Sequence, residues 1–203
     1  MFKKIFAALT MILAVSACAG IRDDMAEPNR YEMPDFSSEE PIRLKVSKID
    51  VISEFTPTFK RPNVEHLLPI SIEKTARSWA EQRLDAVDFS SPKVAKFIIK
   101  DASVTEENIK VNDMFKADRI KYHARLVVTI NISDPNSLSV AETTIEAWRD
   151  LTLPNTTDIE DKEKYWNEMV KKLFEEFNVN MEKNINQYLN MYVVGNDYIQ
   201  QYS

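Results

Sequence analysis

The stretch Arg119-Ile120-Lys121-Tyr122-His123-Ala124-Arg125-Leu126-Val127-Val128-Thr129-Ile130-Asn131-Ile132 decides the fold. Ile120, Tyr122, Ala124, Leu126, Val128, Ile130 and Ile132 are apolar. Arg119, Lys121, His123, Arg125, Thr129 and Asn131 stand between them, with Val127 the one exception. Side chains on a strand alternate between two faces. Period-2 alternation over 14 residues therefore predicts one long strand with a single buried face.

Ser133-Asp134-Pro135-Asn136-Ser137 is turn chemistry, and residues 138–151, through Thr143, Thr144, Ile145 and Trp148, read as the return strand of a hairpin. Upstream, residues 105–118 are polar and predict a loop. Residues 94–104 predict a strand, buried on both faces around Lys96-Phe97-Ile98-Ile99-Lys100. Ser90-Ser91-Pro92 is a turn. Residues 71–87 predict a helix capped by Ser71, with Ile72, Ala76, Trp79, Ala80 and Leu84 at helical spacing. Pro57, Pro62 and Pro69 make residues 54–69 a loop. In residues 42–53 the apolar parity slips between Val46 and Ile49, which predicts a strand with a β-bulge. Downstream, Pro154-Asn155 ends the sheet, and Thr157 and Glu160 are spaced as a capping box. A long helix to about residue 190 follows from Trp166, Met169, Val170, Leu173, Phe174, Phe177, Met181, Ile185, Tyr188 and Tyr192.

The order strand-helix-strand-strand-strand-helix predicts an α+β domain. Its sheet would be mainly antiparallel and four-stranded, with both amphipathic helices on one face. It would span residues 41–192, followed by a tail over 193–203.

The start of the chain fixes a location. Met1-Phe2-Lys3-Lys4 is a basic opening, and the run from Ile5 to Val15 is apolar. At 11 residues that run is too short to span a bilayer, which takes about 20. Val15-Ser16-Ala17-Cys18 follows, ending in the only cysteine of the chain. A basic n-region, an apolar h-region and small residues at a cut are the layout of a secretory signal peptide, here residues 1–17. The four residues at the cut resemble the lipobox of bacterial lipoproteins. That resemblance implies removal of residues 1–17, diacylglycerol and an N-acyl chain on Cys18, and no other cofactor. More than one acyl chain is what stable anchoring requires. In the sorting rule of enteric lipoproteins an Asp after the cysteine retains the protein at the inner membrane. Ala19 stands there, which implies the outer membrane, facing the periplasm. Residues 19–40 hold seven acids against Arg22 and Arg30, with Pro28 and Pro34, and read with Cys18 as a lipidated, flexible acidic tether. The α+β domain behind a lipobox resembles small envelope lipoproteins of the lipopolysaccharide-assembly and transport-auxiliary types over roughly residues 42–190.

Composition excludes several classes. Removing Lys3 and Lys4 takes the net charge from −6 to −8, unsuited to general nucleic-acid binding, which rests on phosphate neutralisation. Cys18 alone leaves no disulfide framework and no thiolate metal site. With only Gly20 and Gly195, neither a glycine-rich phosphate loop nor a G-x-S-x-G elbow exists. His66, beside Glu65 in a proline-bounded loop, has no second ligand cluster near it in sequence, so no metal is expected. Glu39-Glu40 and Glu175-Glu176 read as solvated charge.

One polar pattern is a candidate surface for an anionic partner. Arg119, Lys121, His123 and Arg125 share one strand face at about 7 Å intervals. Arg43 and Lys45 join them if the first strand is a neighbour. The expected function is a non-enzymatic accessory subunit of an envelope assembly or transport machine, held to the membrane by Cys18 and bound to an envelope protein complex. A lipid-binding or lipid-transfer module is the alternative, and an envelope hydrolase a third.

Overall fold

A computed structural model of the chain describes residues 31–111 and 117–195, all within one structural unit, Tyr31–Ser203. The expected signal peptide, Cys18, Ala19, the expected tether up to residue 30 and the expected tail from residue 196 lie outside the described residues.

The alternating stretch forms β6 (Arg119–Ser133), and its return strand is β7 (Val140–Pro154). They pair antiparallel without a slip, from Arg119 opposite Pro154 to Ser133 opposite Val140. Tyr122, Ala124, Leu126, Val128, Ile130 and Ile132 are all buried, as the alternation predicts. On β7 the buried residues are Thr143, Ile145, Ala147 and Leu153, so Trp148 points the other way and is 54% exposed.

The other edge of β6 carries two strands in line: β4 (Val94–Asp101) and then β5 (Val104–Ile109). The register against β6 shifts between Ile99 and Asp101, and in the connection that follows Ser103 donates its backbone N–H to Asp101 Oδ1 at 3.0 Å. β2 (Lys48–Ser53) pairs parallel with β4 at the edge. The α+β class holds, but the main sheet has five strands rather than four. The extra strand is β5, in the stretch whose polarity predicts a loop. Thr105-Glu106-Glu107-Asn108 has little β signal of its own, and β6 supplies the partner that sequence pattern does not record. β4 alternates in burial, with Ala95, Phe97 and Ile99 inside, so it is covered on one face rather than both.

The parity slip in residues 42–53 is a break between strands, not a bulge. β1 (Ile42–Leu44) leaves the main sheet and pairs parallel with β3 (Leu84–Ala86). Residues 192–194 run on its other side: Lys45 donates to the Tyr192 carbonyl at 2.7 Å and Val194 to that of Arg43 at 2.9 Å. Val193 is buried, so the chain is held against β1 as far as residue 194.

α1 (Ile72–Arg83) is capped by Ser71, whose side chain accepts from the Lys74 N–H. It stops where β3 begins, four residues short of the expected end. α2 (Ile159–Tyr188) is capped by Asp158, which accepts from the Asp161 N–H at 2.9 Å. Thr157, the expected cap, lies one residue outside it, and Asp is as good a cap. Both helices cover the same face of the sheet. Trp79 of α1 stacks on Phe97 of β4 at 5.7 Å and meets Phe177 of α2 edge-on at 5.1 Å. Trp166 of α2 meets Tyr122 of β6 edge-on at 5.3 Å. α2 runs antiparallel to β7: Arg149 pairs with Glu176 at 3.2 Å, and further along Asn184 reaches Thr143 at 3.5 Å.

Residues 31–40 are part of this packing. Phe36 is buried, with its ring 6.4 Å from Phe174, and its backbone N–H donates to Gln82 Oε1 at 2.7 Å. The last ten residues of the expected tether thus form a strap laid on the two helices.

Candidate functional site on the open face of the sheet

The helices leave one sheet face uncovered, and β6 presents Lys121, His123 and Arg125 there with Arg119 at its start. Register decides what each meets. His123 lies opposite Asp150, and Arg125 opposite Trp148. Asp150 takes Lys121 Nζ at 2.8 Å and His123 Nδ1 at 2.6 Å. Arg125 bridges two strands, with Nη1 at 2.5 Å from Asp101 of β4 and Nε at 2.7 Å from Glu146 of β7. Among the described residues Arg119 carries no ion pair. Arg43, on β1, is not in this sheet and lies 3.7 Å from Glu40.

These pairs move protonation in the expected directions. Burial opposes ionisation of Asp150, but the bonds from Lys121 and His123 outweigh it and hold its carboxyl below the ordinary 3.8. The Arg125 bond holds Glu146 below 4.5. The bond to Asp150 raises Lys121, and those to Glu146 and Asp101 raise Arg125. The stripe is thus a lattice of matched charges rather than a bare cationic surface. Its apolar point is Trp148, stacked at 6.0 Å over His123. His66 sits elsewhere, exposed, 5.4 Å from the Phe59 ring. Among the described residues no group of three or more His, Cys, Asp or Glu is arranged to hold a metal, and no helix is long and apolar enough to cross a membrane.

A second polar centre lies where the strap meets both helices. Arg83, 2% exposed, donates from Nε to Asn178 Oδ1 at 3.2 Å, from Nη1 to the Glu40 carbonyl, and from Nη2 to Glu182 at 2.6 Å. Trp79 Nε1 donates to the same Asn178 oxygen at 2.8 Å, and Asn178 Nδ2 donates to Glu39 at 2.8 Å. A cavity of about 270 Å³ opens beside it, lined by Glu40, Arg43, Glu182 and Asn186 among others. One sequence signal marks this centre: Arg83 stands four residues after Trp79, on the apolar stripe of α1, where a solvated charge has no place.

No known family model matches the chain, and no curated protein does. Among solved structures it is similar to a homolog of a neuraminyllactose-binding hemagglutinin from Helicobacter pylori, at 13% identity over 81% of this chain and 95% of that one, with a TM-score of 0.38. A minor lipoprotein from Acinetobacter baumannii is similar at 13% identity, over 68% and 94% of the two chains, with a TM-score of 0.33. Rare lipoprotein B from Shewanella oneidensis is similar at 15% identity, over 68% and 98%, with a TM-score of 0.30. At such identities and scores the likeness carries nothing about what this chain does.

Proposed function

We propose that the chain is a lipoprotein anchored through Cys18 to the outer membrane, facing the periplasm, and that it serves as a non-enzymatic accessory subunit of an envelope assembly or transport machine. The observation that carries this reading is Val15-Ser16-Ala17-Cys18 behind a basic and then apolar opening. The domain begins close by: 12 residues separate Cys18 from Tyr31 and reach at most about 45 Å fully extended. Such a domain works at the membrane that holds it.

Docking through the open sheet face is part of the proposal. An anionic partner would have to exchange with Asp150, Glu146 and Asp101 for Lys121, His123 and Arg125, whereas Trp148 is already available as an anchor. The space between helices and sheet, which a lipid carrier would keep open, is filled by Trp79, Phe97, Phe174 and Phe177. That favours docking over lipid transfer.

The test is a photo-crosslinking residue placed at Trp148 in the full-length protein in intact cells, with one at Glu175 on the exposed side of α2 as the control. A discrete adduct from position 148 and none from 175 supports the reading. No adduct from 148, or the same products from both, contradicts it.

A further inference from the structure

The strap shows where the first described residue lies on the domain. Tyr31 lies within electrostatic range of Lys164 near the start of α2, Phe36 meets Phe174, and Glu39 and Glu40 meet Asn178 and Arg83. The strap therefore runs along α2 in the same direction as the helix. Tyr31, the first described residue, therefore lies toward the N-terminal end of α2.

Register identifies what else lies at that end. α2 is antiparallel to β7, so its start lies by Pro154, which pairs with Arg119, which pairs with Ile109. Four large apolar side chains stand exposed there: Ile159 at 61%, Tyr165 at 49%, Met33 at 46% and Ile109 at 37%. Arg119, the stripe cation without an acid partner among the described residues, is at the same end. The carboxylates of Asp118, Asp158 and Glu160 are there too, so the end is not a cationic patch and its attraction is apolar.

We propose that this end seats on the phospholipid bilayer in which Cys18 is held, with Ile159 as its central contact. The proposal rests on the anchor reading. The 12 intervening residues keep this end within about 45 Å of the anchored cysteine. At the millimolar effective concentration that a short linker imposes, a weak apolar contact is populated without any further partner. The seat also sets the orientation of the domain: the β6–β7 turn, with Leu138 fully exposed, points away from the membrane by about the 45 Å length of the ladder.

The experiment isolates the seat from native acylation. The chain from Cys18 onward, which keeps every described residue, is coupled through Cys18 to a maleimide lipid in phosphatidylcholine vesicles. Ile159→Trp and Leu138→Trp are compared with the parent in ordinary and in brominated lipid, whose acyl chains quench tryptophan a few ångströms below the head groups. The seat predicts that the emission added by Ile159→Trp is quenched and blue-shifted, while that added by Leu138→Trp is unchanged. Should neither be quenched, both equally, or Leu138→Trp alone, the proposal is overturned. Whether Cys18 is acylated in the cell is read separately by mass spectrometry, so the two failures are distinguishable.

Discussion

Trp79 and Asn178, 99 positions apart, share a 2.8 Å hydrogen bond that joins α1 to α2 in the interior. Asn178 Oδ1 also accepts from Arg83, so one buried amide oxygen satisfies donors from two turns of α1. Asn178→Ala should leave both donors without their partner, at about 2–6 kcal/mol in total, since each buried unsatisfied group costs about 1–3. Chemical denaturation reads this. A loss under about 0.5 kcal/mol, the range of ordinary surface substitutions, would mean that the amide is not an energetic hub.

The strap yields a second prediction. Phe36 is 6% exposed against Phe174. Phe36→Ala should cost about 2–3 kcal/mol, below the usual 3–5 for a central phenylalanine because the strap lies at the rim of the core. Amide exchange at residues 36–40 should speed up together. Unchanged exchange and stability would return those residues to the tether.

Much of this was legible in the sequence. β6, β7 and the apolar stripe of α2 carry strong periods because each buries one continuous face. β5 and the strap do not, because what orders them is remote. β5 is held by backbone pairing to β6, and Glu39 by Asn178, 139 positions away. The stripe on β6 was legible as four basic positions, but its neutralisation was not. Asp150 and Glu146 reach it only through the β6–β7 register, and Asp101 only through the register shift at the end of β4.

Acid should loosen the open face. Asp150 and Glu146 have carboxyls held below 3.8 and 4.5, their ordinary values. A carboxyl whose folded value is depressed stabilises the fold above its unfolded value and loses that contribution as pH falls through the folded one. Asp150→Asn with Glu146→Gln should therefore melt below the parent at neutral pH. The gap should close as the pH falls beneath 3.8. A gap that is constant down to the acid limit would show that these pairs add no pH-linked stability.

Charge reversal at Lys121 and Arg125 sets like charges beside Asp150, Asp101 and Glu146. Thermal melting of the double variant should fall, and added salt should narrow the difference, because exposed charges are screened. Identical melting of parent and variant at low salt would mean that the lattice is only geometric.

Whether Cys18 holds the domain to a membrane is read by intact-mass and peptide mass spectrometry of the protein extracted from cell membranes. The expected result is a chain beginning at Cys18 and carrying diacylglycerol and an N-acyl group, with Cys18→Ser retained as the full-length, unprocessed form. An unmodified Cys18, or a mature N-terminus at any other residue, would contradict it.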